Sequence, residues 1–128
     1  MNEKLKDYPI APIVWPNLVN INPDALDAIG SDLIWEELQP GVTICMLHGN
    51  RHHGCSTALL RYLPGTAIPS HTHTGHEHLL ILRGSQRDEN GTYRQGTFLI
   101  NKPEGTHRVS SDEGCLVLAI WEAPVKFN

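Results

Sequence analysis

Histidines are concentrated in one short stretch of this chain. Residues 71–78 read His-Thr-His-Thr-Gly-His-Glu-His and hold four of the eight histidines in the sequence, and His107 follows further along. Imidazole nitrogens and carboxylate oxygens are good ligands for divalent transition metals. Because so many imidazoles at such close spacing are hard to explain by packing alone, this stretch predicts a metal-binding protein.

The spacing of His71 and His73 suits a shared metal ion. On an extended strand, residues two apart leave the same face, and their Cα atoms lie about 6.6 Å apart. Two imidazoles at that separation can tilt towards one ion at about 2.0–2.1 Å from each nitrogen. Gly75 permits a bend before Glu77, and His107 has to come from a different strand. We therefore predict that His71, His73, Glu77 and His107 bind one divalent metal ion.

The other histidines fit ordinary surface positions. They are His48, His52, His53, His76 and His78. The pair at 52 and 53 lies in the polar, glycine-flanked stretch 49–54, which is typical of a hairpin loop. The two that flank Glu77 point outward if Glu77 points inward, since neighbours on a strand face opposite sides.

Two motifs give the chain a family resemblance. Residues 65–84 follow the pattern Gly-x5-His-x-His-x3-Glu-x6-Gly and resemble the first motif of the cupins. Residues 96–107 are similar to the second cupin motif, a glycine, a hydrophobic strand, Pro-x-Gly and then His. Here Gly105 lies one residue closer to His107 than in the usual pattern, and the Asn that often follows the His is not in place. The stretch 88–115 looks most like the cupins of the ChrR type.

This resemblance implies a fold and two alternative functions. The fold is an all-β double-stranded β-helix, the cupin jelly roll, with zinc or iron as its metal and manganese or nickel as further possibilities. Cupins of the ChrR type include single-domain dioxygenase-like proteins and the zinc-binding domain of anti-sigma factors. The anti-sigma factors carry an extra helical domain with its own zinc ligands, whereas the residues before the first predicted strand of this chain hold no Cys or His. That difference favours a metal-dependent enzyme over a regulatory module.

The predicted ligand set also limits the chemistry. Three neutral imidazoles and one carboxylate leave a divalent ion with net positive charge, which can polarise an enolate oxygen or activate water. Iron in an open position could bind a chelating diketone or enol together with dioxygen, whereas zinc excludes that redox route. If Glu77 is displaced from the metal, it is the candidate catalytic residue that moves a proton. The predicted partner is therefore a small oxygenated molecule.

Composition excludes several other classes of protein. The 128 residues suffice for one domain, and a formal net charge of −4 with scattered arginines argues against a nucleic-acid partner. No apolar run reaches membrane-spanning length, and the N-terminus lacks the apolar core of a signal peptide, so we expect a cytoplasmic protein without a membrane partner. The three cysteines form no Cys-x-x-Cys pair and no Gly-x-Ser-x-Gly motif occurs, so a Cys or Ser nucleophile is not expected.

The chain is predicted to contain an N-terminal arm and one β domain. Residues 1–30 carry a proline-rich extended arm and at most one short helix starting near Pro23, and residues 31–128 form the cupin domain. Predicted strands cover 33–38, 42–47, 56–63, 77–83, 97–101, 107–109 and 115–121. The apolar arm at 9–16 could cover its own barrel or lie across a partner's sheet edge, and the second possibility together with the resemblance predicts a homodimer.

Alternation along the strands predicts which side chains face the interior. Counting from Glu77 places Leu79 and Ile81 inside, and counting from His107 places Val109 inside. The last strand is apolar on both faces, so either 117, 119 and 121 or 116, 118 and 120 line the cavity. Arg61 or Tyr62 should also face inward.

Overall fold

A computed structural model describes residues 34–128, and every regular element in that range is a β-strand. The strands are β1 (Glu36–Gln39), β2 (Val42–Asn50), β3 (His53–Tyr62), β4 (Thr66–His73), β5 (Glu77–Asp88), β6 (Gly91–Arg94), β7 (Phe98–Asn101), β8 (Thr106–Ser111), β9 (Cys115–Trp121) and β10 (Val125–Phe127). The predicted arm, the short helix and the domain boundary at residue 30 lie outside the described residues. None of the described residues belongs to a helix that could cross a membrane.

The strands form one curled antiparallel sheet, and the predicted all-β jelly roll is confirmed. Neighbouring strands follow the order β1-β2-β3-β9-β5-β8-β4-β10, and β6 and β7 both pair with β5. The twelve-residue β5 joins the two halves of the roll. Its first part pairs with β7 and β9, and its second part pairs with β6 and β8. β4, which ends at His73, and β5, which begins at Glu77, therefore both belong to this sheet.

Two apolar clusters lie on the two faces of the strands. The interior cluster contains the predicted Leu79, Ile81 and Val109, together with Val117, Ala119 and Trp121 of β9. A second cluster on the other face contains Cys45, Leu47, Leu59, Leu82 and Leu116. The odd-numbered residues of β9 therefore line the interior. The strand is apolar on both faces because each face packs into its own cluster, which is why periodicity alone left both choices open.

Tyr62, and not Arg61, faces the interior. The Tyr62 side chain is buried and its hydroxyl accepts a hydrogen bond from Gln86 Nε2 at 3.4 Å. Burial raises the Tyr62 pKa well above its usual range. The guanidinium of Arg61 lies on the outer face, 5.6 Å from the ring centre of Trp35. Arg61 therefore cannot orient a ligand inside the roll.

One motif glycine is required by a close approach of two strands. Gly84 on β5 has a φ of 73°, in the left-handed region that favours glycine. A Cβ atom at this position would collide with the backbone oxygen of Gly114. Any larger residue would push β5 away from the start of β9, so this glycine holds the two strands in register.

Three strands of the structure were not among the predicted ones, and one loop is shorter than predicted. The strands that were not predicted are β4, β6 and β10. β4 contains a proline and several polar residues, and β6 and β10 have only four and three residues. β4 forms because it pairs with β8 on one side and β10 on the other, contacts that local pattern does not reveal. The predicted hairpin at 49–54 is present, but His53 already belongs to β3 and only residues 51 and 52 form its turn.

Candidate metal centre

A bulge in β4 turns two histidines towards the interior. Ile68 faces inward, and strict alternation from it would turn His71 and His73 outward. The pairing of β4 with β8 shifts register between Ile68 and His71, around Pro69, which cannot donate to the ladder and suits a bulge. As a result His71 and His73 are both buried on the inner face, as their spacing predicted.

His107 reaches the same place from β8. It is the direct cross-strand partner of His71, and the centres of these two rings are 4.5 Å apart. The rings of His73 and His107 are 4.7 Å apart, and those of His71 and His73 are 5.2 Å apart. One nitrogen from each of the three rings lies within 4.8 Å of the others. Two neighbouring strands therefore bring together three of the four predicted ligands.

The ring nitrogens are oriented for a common neighbour. His71 Nδ1 donates to the backbone oxygen of Pro69 at 2.9 Å, which leaves its Nε2 with a free lone pair. The Nε2 atoms of His73 and His107 face each other at 2.9 Å. Within the described part of the chain, the buried Nδ1 of His73 has no hydrogen-bond partner. The pair of facing Nε2 atoms marks the point on which the rings converge.

Burial keeps these imidazoles neutral. It lowers the pKa of His73 to about 4, with a smaller contribution from the neighbouring His71. Burial is also the main cause of the lowered pKa values of His71 and His107. Because a metal binds the deprotonated ring, a site that disfavours imidazolium is prepared for a metal ion.

Glu77 lies beside the three rings and is held by two other strands. Its Oε2 accepts a hydrogen bond from Trp121 Nε1 at 2.6 Å, and its Oε1 accepts one from Asn101 Nδ2 at 2.8 Å. Both donors are the direct cross-strand partners of Glu77, on β9 and β7. Burial raises the Glu77 pKa, and the bonds from Trp121 and Asn101 act in the opposite direction.

The distances in this cluster fit a divalent ion. Two ligands of a tetrahedral zinc ion lie about 3.3 Å apart, as follows from bonds of about 2.0–2.1 Å. The 2.9 Å between the Nε2 atoms of His73 and His107 and the 3.5 Å between His73 Nε2 and Glu77 Oε1 bracket that value. A carboxylate accepts about four hydrogen bonds or metal contacts, so Glu77 retains free lone pairs beside its two donors. The three-histidine cluster can thus hold one metal ion.

An acidic residue that the sequence did not single out contacts His107 from behind. Asp88 Oδ2 lies 3.7 Å from His107 Nδ1, and the Asp88 side chain is only 7% exposed. Its other oxygen accepts hydrogen bonds from the Tyr93 hydroxyl at 3.2 Å and from the backbone N–H of Asn90 at 2.8 Å. At this distance the carboxylate forms no hydrogen bond to the ring, but its charge favours a proton on Nδ1, which leaves Nε2 free to face the cluster.

A cavity opens beside His71 and Glu77. It encloses about 430 Å³, counting the space at its open mouth. Its walls are mainly apolar, and Arg51 is a further charged residue among those that line it. The lining consists of Leu38, Ile44, Arg51, Ile68, His71, Glu77, Trp121, Val125 and Phe127. A small molecule in this cavity would touch both the histidine cluster and Glu77.

The histidines on either side of Glu77 lie on the surface, as expected. His76 is exposed and its Nδ1 lies 3.1 Å from Glu122 Oε1. His78 packs its ring edge-on against Phe98, with the ring centres 5.6 Å apart. Neither reaches the interior cluster, so the run of histidines divides between the two sides of the sheet.

Comparisons with known proteins identify the family. The sequence profile of the ChrR Cupin-like domain matches residues 28–123. The anti-sigma-E factor ChrR of Cereibacter sphaeroides is 35% identical over 100 residues, which cover 76% of this chain and 46% of that protein. The chain therefore belongs to the ChrR cupin-like family, and it spans about half the length of this curated relative.

Solved structures with the same fold include a regulator and an enzyme. The crystal structure of Rhodobacter sphaeroides SigE in complex with the anti-sigma ChrR matches with a TM-score of 0.63 and 31% identity, over 71% of this chain and 49% of that chain. Acetylacetone dioxygenase from Acinetobacter johnsonii matches with a TM-score of 0.67 and 16% identity, over 94% of this chain and 83% of that chain. The second likeness, at such low identity, concerns the fold alone.

Proposed function

We propose that His71, His73 and His107, with Glu77 as fourth ligand, bind one divalent metal ion. The observation that carries this proposal is the convergence of three neutral imidazoles, two buried and one half-buried, on one point beside a buried carboxylate. Three nitrogens and one carboxylate oxygen suit zinc or iron. A bound ion would supply a Lewis acid that polarises an oxygen atom of a ligand.

We propose that the metal-bound domain is a regulatory module. The relative with 35% identity is named an anti-sigma-E factor, and a ChrR structure was solved with its SigE partner. These relatives support a protein partner, a SigE-type sigma factor, in place of the enzyme that the sequence favoured. The metal would be zinc, which adds no redox chemistry and stabilises the folded domain.

A dioxygenase-like enzyme is the second candidate, and the cavity favours it. The space beside His71 and Glu77 is open on one side and has mainly apolar walls. A chelating diketone or enol could place its oxygens at the metal there, and Glu77 would move the proton. Trp121 and Asn101 would orient the Glu77 carboxylate for that transfer.

Three measurements separate these functions. Elemental analysis of protein purified without added metal identifies the native ion, and an oxygen electrode follows iron-loaded protein with a panel of β-diketones. The regulatory function predicts native zinc, no oxygen uptake, and binding to a SigE-type sigma factor in a pull-down. Oxygen uptake by the iron form, lost in Glu77→Gln, would instead establish the enzyme.

We further propose a homodimer and the division into residues 1–30 and 31–128. Among residues 34–128, β7 pairs only with β5 and carries the exposed Phe98 and Ile100, and the exposed Ile120 of β9 lies across β5 from Ile100, with His78 between them. Apolar side chains along an open sheet edge support pairing with a second copy. A sedimentation mass near 14.3 kDa would contradict the dimer, whereas twice that mass would support it. Limited proteolysis that removes the first thirty or so residues and leaves a folded core would support the division.

A further inference from the structure

Arg51 lines the cavity beside the histidine cluster. It lies in the two-residue turn between β2 and β3, and the other residue of that turn, His52, donates its backbone N–H to Asn50 Oδ1 at 2.8 Å. Arg51 is half-buried and is the only cationic side chain among the described residues that line this cavity. The short turn therefore places Arg51 against the cavity that also contains His71 and Glu77.

The charge of Arg51 is available to a ligand. Among residues 34–128, its guanidinium has no hydrogen bond or ion pair. The acidic residue in the same cavity, Glu77, already has a donor on each oxygen, from Trp121 and Asn101. A planar guanidinium binds a carboxylate through two parallel hydrogen bonds, and it does so most strongly where water is partly excluded.

The walls opposite Arg51 are apolar. Six of the nine lining residues are hydrocarbon or aromatic: Leu38, Ile44, Ile68, Trp121, Val125 and Phe127. About 50 Å³ of this space is open to the atoms of a ligand, several times the ~10–15 Å³ that one water molecule needs, so the cavity admits a small group. A cavity lined by one cationic side chain and six apolar ones matches a small molecule with one anionic end and a short hydrocarbon body.

We propose that this cavity binds a small carboxylic acid, with the carboxylate at Arg51 and the hydrocarbon body against Ile44, Val125 and Phe127. This inference names the class of ligand that the proposed regulatory site binds. It depends on the regulatory function only for the effect that the bound acid has. Recognition at Arg51 itself does not require the metal. The two ideas can therefore fail separately.

The test is calorimetric titration of zinc-loaded protein with hexanoate and with two probes of equal length, 1-hexanol and hexylamine. We expect hexanoate to bind, hexanol to bind about 10–100-fold more weakly because the charged hydrogen bonds are lost, and hexylamine not to bind. Arg51→Gln should weaken hexanoate by the same factor, and Arg51→Lys should retain part of the affinity. The matched control is Arg61→Gln, since Arg61 lies on the outer face near Trp35.

The outcomes distinguish this inference from the metal proposal. Equal binding of hexanoate and hexanol, no binding of hexanoate, or full affinity in a folded Arg51→Gln with unchanged zinc content would overturn the carboxylate site and leave the metal site standing. Arg51-dependent binding of hexanoate by a protein that holds no metal would support the carboxylate site and count against the metal. If Arg51→Gln does not fold, the comparison of hexanoate with hexanol on metal-free natural protein decides, because no bound ion can then favour the carboxylate.

Discussion

Two histidine–glutamate pairs, one inside the roll and one on its surface, form within a few residues of each other. The inner pair, His73 and Glu77, has its closest atoms 3.5 Å apart and side chains that are 3% and 6% exposed. The outer pair, His76 and Glu122, approaches to 3.1 Å, but its side chains are 48% and 63% exposed. The shorter contact is therefore the one in water, and distance alone does not identify the functional pair.

The pKa values of the two glutamates are shifted in opposite directions by different causes. Burial raises the pKa of Glu77, whereas hydrogen bonds from the backbone and ring of His76 lower the pKa of Glu122. An exposed ion pair is screened by solvent and contributes little to stability. The buried pair is surrounded by two further imidazoles and can instead supply neutral nitrogens and a carboxylate to a metal.

The largest difference between the two pairs should follow loss of one ring. We expect His73→Ala to remove nearly all bound metal and His76→Ala to leave occupancy unchanged, as measured by elemental analysis. The melting temperature of His73→Ala should fall too, because an ion present at about 1,000 times its dissociation constant stabilises the folded state by about 4 kcal/mol. Full occupancy in His73→Ala, or equal loss in both variants, would remove the distinction between the pairs.

The two glutamates offer a matched substitution with the next largest effect. In Glu77→Gln the negative charge is lost, and the amide cannot accept fully from both Trp121 and Asn101. We expect metal affinity to fall by more than the ~10–100-fold typical of losing an outer hydrogen-bond partner. Competition with a chromogenic chelator measures this, and Glu122→Gln should match the natural protein. Similar affinities for the two variants would contradict a ligand role for Glu77.

A smaller effect on metal affinity should follow a substitution of Asp88, which lies behind His107. Asp88→Asn replaces the carboxylate next to His107 Nδ1, and we expect metal affinity to fall by ~10–100-fold with little change in the fold. The same substitution at the exposed Asp112, which pairs with Arg87, is the control. If Asp88→Asn binds metal as tightly as Asp112→Asn, then Asp88 has no part in orienting His107.

The smallest effect is a pH dependence of the metal-free protein. His73 has a pKa of about 4 in the folded state, below the unfolded value of about 6.5, so the unfolded state binds protons first as the pH falls. Stability should therefore be fully present above about pH 6.5 and be lost towards pH 4, with His71 and His107 adding to the slope. Urea unfolding at several pH values should show a shallower slope for His73→Asn than for His76→Asn. A slope that does not change in His73→Asn would argue against the buried ring.

The sequence was sufficient where local pattern carries the information. Period-two alternation correctly placed Leu79, Ile81 and Val109 inside, and the spacing of His71 and His73 correctly placed both on one face. The same rule explains why the histidines within residues 71–78 lie on both sides of the sheet, since the neighbours of an inward Glu77 must face outward. These features depend on a few consecutive residues and on no distant contact.

What the sequence did not reveal depends on strand register. Asn101 and Trp121 bond to Glu77 only because three strands place these residues side by side, and Asp88 meets His107 only after β5 crosses between the two halves of the roll. The bulge at Pro69 is similar, because its effect on side-chain direction appears only in the pairing of β4 with β8. Such contacts join residues far apart in the chain, and a single sequence contains no local signal for them.

The measurement that most directly tests the central claim is the metal content of the purified protein, determined before and after incubation with zinc and dialysis. We predict one tightly held divalent ion per chain in the natural protein and in His76→Ala, and almost none in His73→Ala or His107→Ala. A folded natural protein that holds no metal and takes up none when zinc is offered would contradict the account.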